Sequence, residues 1–352
     1  MIFFKNDYSE GALPQVMDAL LQTNLISTAG YGLDSYCAGA AEALKRRFAC
    51  PDADVHFLVG GTQTNVTAIS AFLRPWEAVI APETGHIAVH ETGAAEARGH
   101  KICTARSAGG KLRPDQVRAI YQANQTWNEE HFVNPKMVYI SNPTELGTIY
   151  TKAELQALRQ VCDELDLYLY MDGARLASAL TCRGNDLRPE EFPALLDAFY
   201  VGGTKNGLLF GEALVITNDA LKPCFRHMIK QCGGMLAKGR LLGVQFGVYF
   251  CDDLWLKAAR HANEMAEKLA AGIAAKGYEF YADSPTNQLF PIFPDALVAA
   301  LAQSFAFEYQ CVLEDGRTAI RLVTSWATQS DWVDAFLAAI PTAPQTRERN
   351  RV

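Results

Sequence analysis

Apolar positions recur with helical spacing over residues 13–25, 35–48, 62–73, 151–165 and 254–276, which predicts a helix at each. The 35–48 stretch closes on Lys45, Arg46 and Arg47, charges that suit a helix C-terminus. Thr151 with Glu154 reads as a capping box. Gly277 reads as the glycine just past the end of the last helix. Between the helices lie short, strongly apolar runs at 56–59, 78–80, 137–141, 167–171, 198–201 and 213–217. Such runs alternating with helices predict an α/β core, a mostly parallel sheet covered on both faces. Past residue 280 the pattern changes, and 287–293, 307–313 and 320–324 read as an antiparallel set beside helices. The expected organisation is a large α/β domain over 1–250, with an N-terminal arm, and a small C-terminal α+β domain over 251–352. Residues 344–352 read as a loose polar tail.

Composition removes several function classes. The chain has 352 residues, 49% of them hydrophobic and 20% charged, which excludes a disordered protein. Lys and Arg number 32 against 39 Asp and Glu, a net charge of −7 with no basic run, so a nucleic-acid partner is not expected. No apolar run reaches about 18 residues, so no membrane helix is expected. The nine cysteines form no Cys-x-x-Cys pair, which argues against a zinc site or a disulfide framework and for a reducing compartment. The first nine residues are too polar for a signal peptide. A cytoplasmic enzyme is the expectation.

In open α/β sheets the ligand lies beyond the carboxyl ends of the strands. The first strand runs into Gly60-Gly61-Thr62, a glycine turn opening a helix and so a candidate phosphate cradle. The run at 167–171 ends at Asp172, with Arg175 close behind. A carboxylate at the mouth of a buried strand needs a cationic partner. The run at 198–201 ends at Gly202-Gly203-Thr204-Lys205, where a desolvated lysine beside other cations becomes a Schiff-base nucleophile. Phosphate turn, strand-end Asp and strand-end Lys, in this order, are used by fold-type-I pyridoxal phosphate enzymes. The lysine carries the cofactor, and the carboxylate keeps its ring nitrogen protonated.

From about residue 5 to about residue 335 the chain resembles the threonine aldolase branch of the β-eliminating lyases. The resemblance rests on Asn6-Asp7, Gly61-Thr62-Gln63, His86 before Glu91-Thr92-Gly93, Asp172-Gly173-Ala174-Arg175, the Lys205 turn and Arg321-Leu322-Val323-Thr324. It implies pyridoxal 5'-phosphate as cofactor. It implies that Lys205 bears the cofactor, Asp172 pairs with its ring nitrogen, Arg175 lies by its phenolic oxygen and His86 stacks on its ring. Gly61, Thr62 and Thr204 belong to the cofactor pocket. Arg321, Asn6, Arg175 and Tyr31 are implied around the substrate, and His131 near its hydroxyl. The expected base is His131, His86 or a bound water. No metal is expected, although His86 and His90 are four apart in the sequence.

The implied activity is cleavage of L-3-hydroxy-α-amino acids to glycine and an aldehyde. The rivals are β-elimination releasing ammonia and a keto acid, transamination, and a non-catalytic binding protein. A homodimer or homotetramer with shared sites is implied. Thr204 before the lysine, Ser325 after Arg321-Leu322-Val323-Thr324, Leu236 after Gly233-Gly234-Met235, and the segment 142–147 depart from the family pattern. These departures surround the substrate rather than the cofactor.

Overall fold

The apolar runs become strands because each can be buried on both faces. The computed structural model describes residues 1–125 and 129–343; the expected tail at 344–352 lies outside the described residues. The strands are β1 (Ile2–Phe3), β2 (Asp54–Leu58), β3 (Glu77–Pro82), β4 (Ile102–Ala105), β5 (Asn134–Ser141), β6 (Tyr168–Asp172), β7 (Ala198–Gly202), β8 (Glu212–Ile216), β9 (Gln288–Leu289), β10 (Ile292–Pro294), β11 (Phe305–Ala306), β12 (Glu308–Val312) and β13 (Arg317–Val323). Seven of them form one sheet in the order β2-β8-β7-β6-β5-β3-β4. Pairing is parallel from β7 through β4, while β8 runs antiparallel to both its neighbours. The reversal follows from chain length. Only residues 203–211 separate β7 from β8, too few for the crossover that a parallel strand needs.

Alternate residues of each strand face opposite sides of the sheet. Ile80, Val138, Leu169 and Phe199 pack into one buried cluster, and Val79, Tyr139, Tyr170 and Tyr200 into another. The second face is covered by the helix Gly61–Phe72, through Ala68 and Ile69. Three tyrosines therefore stand on the side where that helix begins.

The C-terminal strands β10, β13 and β12 are antiparallel, with β9 also on β13. The first strand departs from the expected 1–250 unit. β1 pairs with β11, and Phe4 lies in the same buried cluster as Phe293, Ile320 and Phe336. The helix Leu254–Ala275 serves both units. Trp255 and Ala258 pack in the large core, whereas Leu269 and Ile273 pack in the small one.

Strand register decides where polar residues gather. Leu58 pairs with Glu212, Glu212 with Gly202, and Ser141 with Asp172. The ends of β2, β5, β6 and β7 and the start of β8 thus share one edge of the sheet.

Candidate active site

The turn after β2 opens the helix Gly61–Phe72 with Gly60 as N-cap and no side-chain cap. The first N–H groups of a helix lack partners within it, and the dipole there favours an anion. A Cβ on Gly60 would meet nothing within 4 Å, and one on Gly61 would lie 3.1 Å from the Tyr200 hydroxyl. Bare backbone therefore faces the edge where the other groups assemble.

β6 ends at buried Asp172. Its Oδ1 accepts from the Tyr200 hydroxyl at 2.5 Å and the Ala174 N–H at 3.0 Å. Its Oδ2 accepts from the Tyr139 hydroxyl at 2.8 Å and the Asn65 side-chain amide at 3.1 Å. Burial would raise the Asp172 pKa, but the His86 charge and these donors outweigh it and hold the carboxyl below its usual range. Burial and the Asp172 charge push Tyr139, Tyr170 and Tyr200 well above the ordinary phenol value, so their hydroxyls remain donors. Asp172 is thus a fixed, buried anion. Close crossing of the strand ends requires glycine. A Cβ on Gly173 would run into the Tyr200 carbonyl, and one on Gly202 into that of Ala174.

The tight turn Thr204–Asn206 carries Lys205 and closes on Gly207 at φ 93°. Burial and then the Arg175 charge lower the Lys205 pKa, against the pull of Asp7, Asp172 and Glu212. Burial pushes the neighbouring Glu212 up to about 8. A neutral amine is the nucleophilic form.

Arg175 grips Asp7 through two bonds, Nε to Oδ2 at 2.6 Å and Nη2 to Oδ1 at 3.0 Å. Asn287 donates to the same Oδ2 at 2.9 Å. Arg321, on β13, lies within electrostatic reach of Arg175 and Asp7, and burial followed by the Arg175 charge lowers its pKa. Its Nε is buried with no hydrogen-bond partner among the described residues. Arg175 already occupies Asp7, and Arg321 has Glu308 beside it on β12 but no hydrogen-bonded carboxylate for its Nε among the described residues. An incoming carboxylate would complete the set.

His86 begins a short helix after β3. Its Nδ1 lies 2.8 Å from Glu91 Oε1, which also accepts from the Asn65 amide at 2.8 Å. Its backbone N–H donates to Glu145 Oε1 at 2.9 Å. A cavity of about 280 Å³ is lined by Gly61, Thr62, His86, Glu145, Asp172, Arg175, Thr204 and Lys205, among others.

Two expected site residues, His131 and Tyr31, lie away from this cavity, and a third, Asn6, is not among its lining residues. His131 is exposed and ends the turn Glu129–His131 before β5, whereas the cavity lies beyond the far end of that strand. β5 has 8 residues, which at about 3.3 Å each puts roughly 25 Å between His131 and the site. This chain's His131 is therefore not placed to act in this chain's cavity. Tyr31, at φ 59°, lies by Lys230 and lines a separate cavity of about 330 Å³ with Arg226 and Met235. Asn6 Oδ1 accepts from the Tyr8 N–H and the Ser9 hydroxyl, both at 2.9 Å, so it closes a turn. The neighbours of Asn6 reach the site: Asp7 pairs with Arg175, and Tyr8 lines the cavity. Asp7, Asn65, Glu91, Glu212 and the tyrosine trio join the site without being among the expected site residues, and Glu145 falls in the departing segment 142–147. Asp7 and Glu91 stood inside quoted motifs, whereas nothing local marks Tyr139 or Glu145 as neighbours of Asp172.

The sheet and the edge at which these groups meet are those of a fold-type-I enzyme. Residues 8–295 match the family described as Beta-eliminating lyase, and the chain belongs to that family. It is 33% identical over 340 residues to a low specificity L-threonine aldolase of a Pseudomonas species (strain NCIMB 10558), covering 96% of each. It superimposes on the Leishmania major threonine aldolase with a TM-score of 0.94 at 49% identity, covering 96% of this chain and 98% of that one. Aspartate aminotransferase from Thermus thermophilus shares the fold alone, with a TM-score of 0.69 at 15% identity, covering 96% of this chain and 90% of that one. Enzymes of this family and fold type depend on pyridoxal phosphate. The donor set here fits that cofactor: an uncapped helix start, a buried anion and a half-buried lysine on one cavity.

Proposed function

We propose that this chain is a pyridoxal phosphate-dependent lyase that cleaves L-3-hydroxy-α-amino acids of the threonine or allo-threonine type to glycine and an aldehyde. The observation that carries the reading is the meeting of Lys205, Asp172 and Arg175 at one small cavity, with Arg321 beside them. Lys205 would hold the cofactor covalently, Asp172 its ring nitrogen, the N–H groups of Gly61 and Thr62 its phosphate, and His86 its ring. Once bound, pyridoxal phosphate supplies an electron sink for the pair released at the amino acid's Cα.

The chain's own residues do the rest. Arg321 takes the substrate carboxylate, and Arg175, fixed by Asp7, adds a second positive charge beside it. Holding the carboxylate orients the bond to be broken, and orientation selects which bond breaks. Asp172 keeps its charge through the reaction because its donors are buried with it. The Pseudomonas and Leishmania relatives named above carry threonine aldolase in their names, which supports a substrate of that type. A homodimer or homotetramer in the reducing cytoplasm is part of the proposal. The nine unbridged cysteines and the exposed apolar side chains between Leu25 and Leu33 support it.

Cofactor-loaded protein incubated with L-threonine, L-allo-threonine and L-3-hydroxy homologues tests the reading. Glycine in equal amount to the matching aldehyde is expected. Ammonia and a keto acid without glycine would overturn it in favour of β-elimination, the reaction in the family's name.

A further inference from the structure

Cleavage of a 3-hydroxy amino acid needs a group that takes the hydroxyl proton, and within one chain His131 stands at the end of β5 away from the cavity. We propose that Glu145 is that group, an assignment that rests on the aldolase reading above.

Glu145 lines the cavity that holds Lys205 and Asp172. Its Oε1 is fixed by the Ser141 hydroxyl at 2.6 Å and the His86 N–H at 2.9 Å. Its Oε2 is buried and has no partner among the described residues. The fold thus anchors one oxygen and leaves the other for a group that arrives. Anchoring alone does not require a carboxylate, since the amide oxygen of Gln would accept both bonds. Burying an ionisable group where an amide would serve is costly.

The surroundings also suit proton transfer. Burial raises the Glu145 pKa, against the Ser141 and His86 donors, and the Asp172 charge adds to the rise. A carboxyl moved toward working pH is a better base, and later a better acid, than one at its usual value. The titratable groups around it are Asp172 from β6, Tyr139 from β5, Tyr150, His86 and Glu91 after β3, and Lys205 after β7. The His86 ring, the other candidate, has Nδ1 held by Glu91 and would act only through Nε2, while the proposed function lays that ring against the cofactor.

The step balances on the substrate. The O–H bond breaks and its proton passes to the Glu145 carboxylate. The O–H pair becomes the second bond of the aldehyde C=O. The Cα–Cβ pair stays on Cα, where a later proton completes glycine.

The test is Glu145→Gln, which keeps both anchoring bonds and cannot take a proton. Cleavage of L-threonine is compared with exchange of the glycine Cα proton in D2O, a reaction with no β-hydroxyl. The ratio of cleavage to exchange is expected to fall about 100-fold or more, the usual scale of a lost general base. A ratio within about threefold of wild type, with both rates kept or both lost together, would overturn the proposal. Ser141→Ala is the second variant. It removes a donor that stabilises the carboxylate, so the acid limb of kcat/KM moves to higher pH; an unmoved limb overturns the assignment. In cofactor-free protein, infrared difference spectra between wild type and E145Q should contain a carboxylic-acid band that titrates, and absence of the band counts against it. A wild-type enzyme that releases no glycine would sink the aldolase reading itself, and that arm is separate from the variants.

Discussion

The ion pair of the site joins two residues far apart in sequence, Asp7 and Arg175. Their side chains are 0% and 13% exposed, so each charge depends on the other. Burial works against the Asp7 charge, but Arg175, Lys205 and Asn287 outweigh it and hold the carboxyl below the usual range. Asp7→Asn leaves a buried guanidinium with a neutral partner. The expected cost is about 3–5 kcal/mol at pH 7, read from urea unfolding. The sign of the pH dependence follows from the depressed pKa. The contribution is complete above the unfolded value of 3.8 and is lost as pH falls through the lower folded value. Wild type and variant should therefore converge in stability on strong acidification, and a gap that persists there would refute the assignment. Legibility at this scale had a clear limit. Lys205, Asp172, Arg175 and the Gly61 turn were readable because each follows an apolar run. Glu212 was not, because only strand register sets it beside Lys205, and Glu145 stood out only within the segment 142–147, since the turn after β5 is what brings it to Asp172.

At the scale of elements, local signals and long-range ones separate cleanly. Thr151 accepts from the Glu154 N–H at 3.3 Å while Glu154 Oε2 accepts from the Thr151 N–H at 2.8 Å, which is the expected capping box. Thr151→Ala should cost about 1 kcal/mol in denaturant unfolding and leave turnover unchanged, because the helix Lys152–Glu164 carries no cavity residue. A loss of turnover at constant stability would contradict that placement. The helix Arg240–Tyr249 was not foreseen because it has no polar face to give it a period. Leu242, Val244, Gln245, Phe246 and Tyr249 are all buried. A Cβ on its Gly243 would run into Cys37 of the helix Ser35–Arg47, so the two helices approach closely. Pro114–Asn124 also escaped, as did β4, whose four residues are too few to establish alternation. The reversed direction of β8 is a property of the nine-residue span 203–211 rather than of its own apolar pattern.

At the scale of the whole molecule, the N-terminal arm ties the two units together. β1 adds to β11, the Val323 N–H donates to the Phe4 carbonyl at 2.8 Å, and Asp7 then reaches Arg175 of the large unit. The arm continues into a helix, Pro14–Thr23, and then into a stretch with several exposed apolar side chains. Leu25 is 94% exposed and Leu33 68%, with Ile26 and Tyr31 also open. Isolated exposed apolar residues need no explanation, but several along one short segment mark a surface that meets another molecule. A second copy of the chain is the partner proposed. Light scattering should therefore give two or four times the chain mass. The double variant Leu25→Glu, Leu33→Glu should shift the population toward smaller species, since it places like charges in a contact that repeats by symmetry. If activity falls in step with dissociation, residues of one copy complete the cavity of another, and Tyr31 becomes the first residue to follow there. If the variant dissociates at full activity, the cavity of a single chain suffices. A wild-type particle of one chain mass would remove the oligomer from the account altogether.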